Sequence, residues 1–334
     1  MRVAVLGAGR MGRRRAHLLA SDPRVDEVVV GNRTRARAEE VARAVGGRAA
    51  GLEEALEAGP EAVVVSLATA NHAEYLLRAI DLGVPVLTEK PLAADLEGTR
   101  AAVAAARDAG VAVQVAFMRR FDPAYVEAGR LVASGALGTL YHVHMTSHDR
   151  DVTPLEYLPG SGGIFRDLHV HDFDAARFLT GREIAEVDAR ATVRAHARFA
   201  EHDDFDTATV LATMDDGLTV TVSGARHDPL GYDFRVELFG SADSVATGLG
   251  PRTPLRSLEP GGPGAPPHAY EGFLERFAAA FEAETAAFVD LVTGRGPNPC
   301  PPEEAARAMA AAVACERSVA ERRPVALSEV EVAP

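Results

Sequence analysis

The sequence predicts an α/β chain in two parts, a doubly wound parallel sheet followed by an α+β domain with a mostly antiparallel sheet. Three observations predict it. Residues 1–116 alternate short apolar runs with helical segments, the rhythm of successive βα units. A glycine string, Gly7-Ala8-Gly9-Arg10-Met11-Gly12, stands directly between the first apolar run and the first helical one. Past Phe117 strand-like runs follow one another through turns such as Asp215-Asp216-Gly217, as antiparallel pairing requires. The 334 residues exceed one ordinary core and suit two domains, placed at 1–116 and 117–334.

In the first part the strands are Arg2–Leu6, Val28–Val30, Ala62–Leu67, Val84–Leu87 and Val111–Val115. The helices between them include Arg33–Ala44, Ala73–Leu82 and Leu96–Ala109. Gly83 and Gly110 lie just past two of these helices, where a left-handed residue ends the turn. The second part opens with a helix at Pro123–Ser134, a strand at Thr139–Thr146, an irregular stretch and a helix at Gly163–Leu179. Strands at Glu186–Arg194, Asp206–Met214, Leu218–Ala225 and Tyr232–Gly240 follow. Gly248–Pro267 is rich in Gly and Pro and reads as an exposed loop. Two Ala-rich helices, Tyr270–Thr293 and Pro302–Glu321, close the chain.

A formal net charge of −13 argues against a nucleic-acid partner, because phosphate binding needs a basic face. No apolar run approaches the roughly 18 residues that cross a bilayer, and Met1–Leu6 reads as a strand and not as a signal peptide. Two cysteines, Cys300 and Cys315, build neither a disulfide framework nor a four-ligand zinc site. A cytoplasmic protein is expected. Of 35 basic residues a single one, Lys90, is lysine. Arginine cannot shed its proton near neutral pH, whereas a buried lysine can. Lys90 is therefore a candidate before any motif is considered.

The glycine string has the geometry of a Rossmann dinucleotide fingerprint. Gly7 serves the tight turn, Gly9 the close approach to a pyrophosphate, and Gly12 the packing of helix on strand, with Arg10 and Met11 between them. The phosphates then sit at a helix N-terminus, where free N–H groups favour negative charge. Where an NAD-selective site carries Asp or Glu after the second strand, this chain has Asn32-Arg33-Thr34. With no carboxylate there, a 2′-phosphate is not repelled and Arg33 is placed to pair with it. The expected cofactor is NAD(P)(H), leaning to NADP(H). The competing reading is that Arg33 and Arg35 are solvated residues of a first turn.

Thr88-Glu89-Lys90-Pro91 ends a parallel strand on the edge where doubly wound sheets bind ligands. A lysine there can hydrogen-bond a substrate oxygen, and desolvation tunes it for proton transfer. In the run Gly162 to Asp172, Asp167 and His171 are four apart and share a face if the segment is helical, while His169 points elsewhere. An Asp–His pair suits removal of an alcohol proton. His142, His144 and His148 raise a metal reading, but no tight ligand set emerges and hydride transfer to nicotinamide needs no metal. No metal is expected.

Together these motifs resemble the glucose–fructose oxidoreductase, inositol dehydrogenase and rhizopine-catabolism (Gfo/Idh/MocA) family. The resemblance spans nearly the whole chain: the early glycine motif, Thr69-Ala70-Asn71-His72, Glu89-Lys90-Pro91, Gly162-Gly163 with Asp167 and His171, and Arg323-Pro324-Val325. Phe117-Met118-Arg119-Arg120-Phe121-Asp122-Pro123 looks like the inositol-dehydrogenase branch. The resemblance implies an open-faced sheet that carries substrate and an oligomer interface, hence a homo-oligomer, dimer or tetramer. It also implies a catalytic set of Lys90, Asp167 and His171, with His171 as general base. Thr69, Asn71, His72 and Glu89 would lie at the cofactor, and Arg120, His148, Asp149 and Tyr232 at the substrate. Asn32-Arg33 departs from the acidic pattern of the NAD-preferring members.

The function these readings favour is hydride transfer between nicotinamide and a ring secondary alcohol or ketone of a cyclitol or sugar. A rival is a ketoreductase of nucleotide-linked sugars, with Arg150 or Arg166 meeting a diphosphate. Another is a nucleotide-sensing protein without catalysis, for which Lys90, Asp167 and His171 would have no use.

Overall fold

The structure, a computed structural model, describes residues 1–331. The chain divides into two compact units, Met1–Met118 with Phe281–Ala306, and Arg119–Ala280 with Arg307 onward.

The first unit holds six parallel strands: β1 (Arg2–Leu6), β2 (Glu27–Gly31), β3 (Arg48–Ala50), β4 (Ala62–Val65), β5 (Val86–Thr88) and β6 (Val113–Val115). Their spatial order is β3-β2-β1-β4-β5-β6. The strand order reverses at β1, which pairs with β2 on one side and β4 on the other. Such a switch point leaves a crevice at the carboxyl ends of the strands, and ligands bind there. The loops after β1, β2, β4 and β5 all open on that edge. Val3, Val5, Val28, Val30 and Val64 are buried with Ala16, Leu19 and Val41 from the flanking helices. A parallel sheet covered on both faces explains why these strands read as unbroken apolar runs.

The sequence places everything past residue 117 in the second part, but Phe281–Ala306 packs with the first. Phe288 and Val289 join the β1–β2 core. The Val115 N–H donates to the Cys300 carbonyl at 2.8 Å, and Asn298 Nδ2 to the Val113 carbonyl at 2.8 Å, so this segment takes up the outer edge of β6. An edge strand must place its backbone groups somewhere. The single helix expected over 270–293 is interrupted, running as Phe273–Arg276 and Ala278–Val292.

The second unit is a seven-stranded sheet of β7 (Leu140–His148), β8 (Ile184–Thr192), β9 (Thr207–Met214), β10 (Thr219–Ala225), β11 (Asp233–Gly240), β12 (Ser244–Thr247) and β13 (Val325–Ala326). The order is β12-β11-β7-β10-β9-β8-β13. Only β7 and β10 pair in parallel, so the sheet is mixed and mostly antiparallel. Burial alternates along the strands. In β9, Ala208, Val210, Ala212 and Met214 are buried, while Thr209 and Leu211 are exposed. One face is packed and the other is open.

β3, β12 and β13 were not anticipated; at two to four residues they are too short to show a period. The helix expected over Gly163–Leu179 is present but not regular. Phe165–His169 is a π turn that runs into the α-helix Val170–Thr180. Among the described residues no helix is long and apolar enough to cross a membrane.

Candidate active site

In the first unit the glycine string forms a cradle whose shape each glycine dictates. Gly7 has φ +111°, and a Cβ on it would overlap the Ser66 carbonyl. A Cβ on Gly12 would overlap the Gly7 carbonyl, so the helix Arg10–Ala20 lies against the β1 turn only because residue 12 has no side chain. A Cβ on Gly9, by contrast, would meet nothing within 4 Å. That open space stands at the N-terminus of the helix, which has no side-chain cap and no acidic residue in its first turn. Uncapped N–H donors, no competing carboxylate and clear space fit the pyrophosphate of a dinucleotide. Arg10 is exposed and Met11 half-buried at this end.

Asn32 follows β2 and holds the cradle from the side. Its Oδ1 accepts from the Ala8 N–H at 3.1 Å, and its Nδ2 donates to the Thr34 carbonyl at 3.0 Å. The side chain therefore has a structural task. Arg35 is drawn to Glu54 at 2.8 Å, whereas Arg33 is exposed and Thr34 makes no side-chain cap.

The loop after β4 turns through Thr69–Asn71 into the helix His72–Asp81. His72 is buried, with Nδ1 at 2.7 Å from the Pro91 carbonyl and Nε2 at 2.7 Å from the Leu67 carbonyl. Both ring nitrogens are thus spent on joining the loop after β4 to the loop after β5. Glu89 is fixed from below. Arg15, fully buried, donates from Nε to Glu89 at 2.9 Å, from Nη2 to Glu284 at 2.5 Å and from Nη1 to Thr285 at 3.2 Å. Burial alone would lower the Arg15 pKa, but the two carboxylates outweigh it and raise the pKa above its ordinary value. Lys90, half-buried, follows Glu89 at the end of β5.

In the second unit, Asp167 sits inside the π turn and His171 just beyond it, both half-buried. Asp167 is held from outside its helix. Tyr157 OH donates to Oδ1 at 3.0 Å and Arg226 Nη1 to Oδ2 at 2.8 Å. Arg226, directly after β10, is 1% exposed and also reaches Asp204 at 3.3 Å. Asp204 in turn accepts from the Ile164 N–H at 2.8 Å and so caps the start of the helical segment.

A second buried cluster lies beneath. Asp172 Oδ1 accepts from Arg119 Nη1 at 2.5 Å and from Ser147 Oγ at 2.6 Å, and Oδ2 is 2.8 Å from His169 Nδ1. Burial alone would raise the Asp172 carboxyl, but Arg119 and His169 hold it far below the usual carboxylate range. His169 lies so close over β10 that a Cβ on Gly224 would overlap its ring. It does point elsewhere, as its spacing predicts, and it points into the sheet.

Among the residues expected at the substrate, Arg120 is clamped by Asp174 at 2.7 and 2.9 Å, both side chains nearly buried. Tyr232 is buried and stacked on Phe234 with ring centroids 4.0 Å apart. Burial, then Asp149, raise its hydroxyl well above the ordinary value. The Asp149 N–H continues the sheet by donating to the Ala225 carbonyl at 2.9 Å. His148 bonds Ser223 at 3.0 Å, and burial lowers its pKa against the opposing pull of Asp233 and Asp228.

Those three residues, His148, Asp228 and Asp233, form the one group among the described residues whose spacing would suit a metal ion. Arg235 already binds both oxygens of Asp233 at 2.8 and 3.1 Å. His142 and His144 are engaged with the hydroxyls of Thr219 and Thr221 across the strand pair.

Sequence reasoning missed Arg15, Arg119, Tyr157, Asp204 and Arg226. In a chain whose basic residues are almost all arginine, one more carries no signal, and Arg15, Arg119 and Arg226 meet Glu89, Asp172 and Asp167 more than fifty residues away.

Residues 1–117 match the model of an oxidoreductase family with an NAD-binding Rossmann fold, and residues 125–246 match the Gfo/Idh/MocA C-terminal domain. The chain is 36% identical over 323 residues to myo-inositol dehydrogenase Hyg17 of Streptomyces leeuwenhoekii, covering 95% of this chain and 97% of that one. It is 36% identical over 252 residues to scyllo-inositol 2-dehydrogenase (NAD(+)) of Bacillus subtilis, covering 74% of each. The crystal structure of a myo-inositol dehydrogenase from Corynebacterium glutamicum superposes with a TM-score of 0.89 at 32% identity, over 100% of this chain and 99% of that one. The chain belongs to the Gfo/Idh/MocA family of oxidoreductases, enzymes that act on CH–OH groups with a nicotinamide cofactor in an N-terminal Rossmann domain.

Proposed function

We propose that this enzyme oxidises one ring CH–OH of a cyclitol to the ketone, or runs the reverse reduction. The observation that carries the proposal is similarity over almost the full chain to proteins named inositol dehydrogenases, at 32–36% identity. With the pyrophosphate of a dinucleotide held by the Gly7–Gly12 cradle, its nicotinamide would supply the acceptor for the carbinol hydride. Lys90 hydrogen-bonds the substrate hydroxyl oxygen and stabilises charge that develops there. His171 takes the hydroxyl proton, and Asp167 supplies a carboxylate that favours the charged imidazole. Asn71 and Glu89 shape the nicotinamide end. Arg120, His148, Asp149 and Tyr232 are proposed around the ring hydroxyls. A homo-oligomer in the cytoplasm completes the reading, and light scattering of the purified protein tests the first half of that statement.

For the cofactor the proposal leans to NADP(H). It rests on the exposed Arg33 and on the absence of a carboxylate after β2, although the Bacillus subtilis relative is named for NAD(+). Arg33→Ser is expected to lower the ratio of kcat/KM with NADP to that with NAD by about tenfold, the value of one charge-assisted contact. An unchanged ratio removes Arg33 from specificity.

The deciding experiment is reduced-nicotinamide absorbance with a panel of inositols and aldoses, NAD and NADP side by side. Turnover of an inositol supports the function. Lys90→Met should then keep cofactor affinity while kcat falls by about a hundredfold or more. Near-normal kcat in that variant overturns the role of Lys90, and silence across the panel with cofactor bound overturns the function. No observation favours the nucleotide-sugar reading. Arg166 and Arg150, the cations it needs, face Glu316 at 2.6 Å and Glu271 at 3.3 Å.

A further inference from the structure

We infer that Arg226 is a positioning residue of the proposed reaction, holding the Asp167 carboxylate in place so that it serves His171 as a charge and not as the base. The inference rests on the reading of Asp167 and His171 given above. Arg226 is among the largest fully buried side chains in the molecule. A buried guanidinium is tolerated only where carboxylates match it. Two do: Asp167 Oδ2 at 2.8 Å and Asp204 Oδ2 at 3.3 Å. They are not equivalent. Asp204 is also committed to backbone, its Oδ1 accepting from the Ile164 and Phe205 N–H groups at 2.8 Å each. Asp204 thus anchors the arginine to the start of the helical segment. Asp167 is the more exposed of the two, 15% against 4%, and takes the shorter bond.

Arg226 itself is held rigidly. It follows the last residue of β10, and its N–H donates to the Asp206 carbonyl at 2.8 Å. The guanidinium therefore projects from a sheet strand onto a π turn, and a π turn leaves its residues less constrained by their own helix. Tyr157 OH, on the far side, donates to Asp167 Oδ1 at 3.0 Å. Neighbouring charged groups have partners of their own. Arg166 bonds Glu316 at 2.7 Å, His169 is 2.8 Å from Asp172, and Asp149 contributes to holding the Arg226 charge. Burial alone would lower the Arg226 pKa, but Asp167 and Asp204 raise it above the ordinary value. The cation is constant across any working pH. A carboxylate held by that cation at 2.8 Å and by the Tyr157 hydroxyl at 3.0 Å is placed to act as a charge that favours a protonated His171, and not as the base.

The test is a double-mutant cycle in the full-length enzyme, with kcat, KM and melting temperature read between about pH 5 and 9. Arg226→Gln should cut kcat by about tenfold or more with KM changed less than about threefold, and should move the acid limb of kcat upward by about one pH unit. Arg226→Lys should keep the acid limb in place. On an Asp167→Asn background, Arg226→Gln should cost no more than about a further twofold, because its effect passes through a charge already gone. The paired variant removes the Arg226 and Asp167 charges together and leaves Asp204 its two backbone N–H donors, so it should lose less stability than Arg226→Gln alone. Full multiplication of the two losses, or an Arg226→Gln profile that overlays wild type, overturns the inference. Carbon-13 NMR of the Asp167 carboxyl gives a readout without turnover: it should titrate at higher pH in Arg226→Gln than in wild type and stay in place in Arg226→Lys. An unmoved titration overturns the inference even if no inositol is turned over, whereas silence on inositols with a shifted titration defeats only the proposed reaction.

Discussion

The cofactor cradle and the helix that carries Asp167 and His171 are built on opposite principles. The cradle is made of backbone. Gly7 and Gly12 are there because any side chain would strike a carbonyl, and Gly9 because the space above it is kept open. The helical segment is made of buried charge. Arg119 with Asp172 and Arg226 with Asp167 and Asp204 fasten it, and Ser147 of β7 ties Asp172 to the sheet. A backbone site fails by steric overlap and is indifferent to pH. A site fastened by ion pairs fails when one partner is lost, and acid reaches it.

The sharpest break of that contrast is Arg119→Met. Removing one partner of a buried pair leaves the other charge unmatched, at a cost of about 3–5 kcal/mol. Urea unfolding at neutral pH should show that loss in the second unit. The same pair predicts an acid dependence. The folded-state pKa of Asp172 is depressed below its unfolded value, so its contribution is full above about pH 4 and is lost as the pH falls through the depressed folded value. The stability gap between wild type and Asp172→Asn should therefore narrow below pH 4. A gap that stays constant into acid would show that the carboxylate is not what fastens the helix.

The glycine cradle supplies the counterpart. Gly12→Ala should destabilise the first unit by about 1–3 kcal/mol, as overpacking does, because its Cβ meets backbone that cannot swing away. Cofactor affinity should fall with it. Gly9→Ala should leave the melting temperature unchanged and still weaken cofactor binding, since the added methyl occupies only the open space. Fluorescence titration beside thermal unfolding separates the two. Equal losses of stability in both variants would erase the distinction drawn between packing glycine and ligand glycine.

The same contrast explains what was legible in the sequence. The cradle was readable because steric necessity leaves a fixed spacing, and the buried parallel strands because covered faces leave unbroken apolar runs. The helix Leu96–Ala109 matched at both ends because Asp95 caps it, accepting from the Gly98 N–H, and Gly110 closes it with a left-handed turn. The fastening of Asp167 was not readable. Arg226 lies 59 residues away, Tyr157 in a stretch without period, and the π turn between Phe165 and His169 has no sequence signature of its own. Phe281–Ala306 was misplaced for a related reason. Its apolar face is plain in the sequence, but which core receives it depends on long-range bonds, from the Val115 N–H to the Cys300 carbonyl and from the Asn298 amide to the Val113 carbonyl, which an apolar period does not encode.

The smallest expected effect lies where the two principles meet, at Asn32. It is a side chain, yet it supports a backbone site through two neutral hydrogen bonds, from the Ala8 N–H at 3.1 Å and to the Thr34 carbonyl at 3.0 Å. Losing them should cost about 1–2 kcal/mol, and less if water enters the half-buried position. Asn32→Ala should therefore shift the melting temperature by a few degrees at most and weaken NAD and NADP equally, because the loop they share loosens. Asn32→Asp keeps an acceptor for Ala8 but places a negative charge after β2. It should hold the Ala8 side of the loop but not the Thr34 side, and selectively weaken NADP, whose 2′-phosphate it repels. If Asn32→Ala alone changes the NADP/NAD ratio, the residue touches the cofactor directly and the division between cradle and contact must be redrawn at this position.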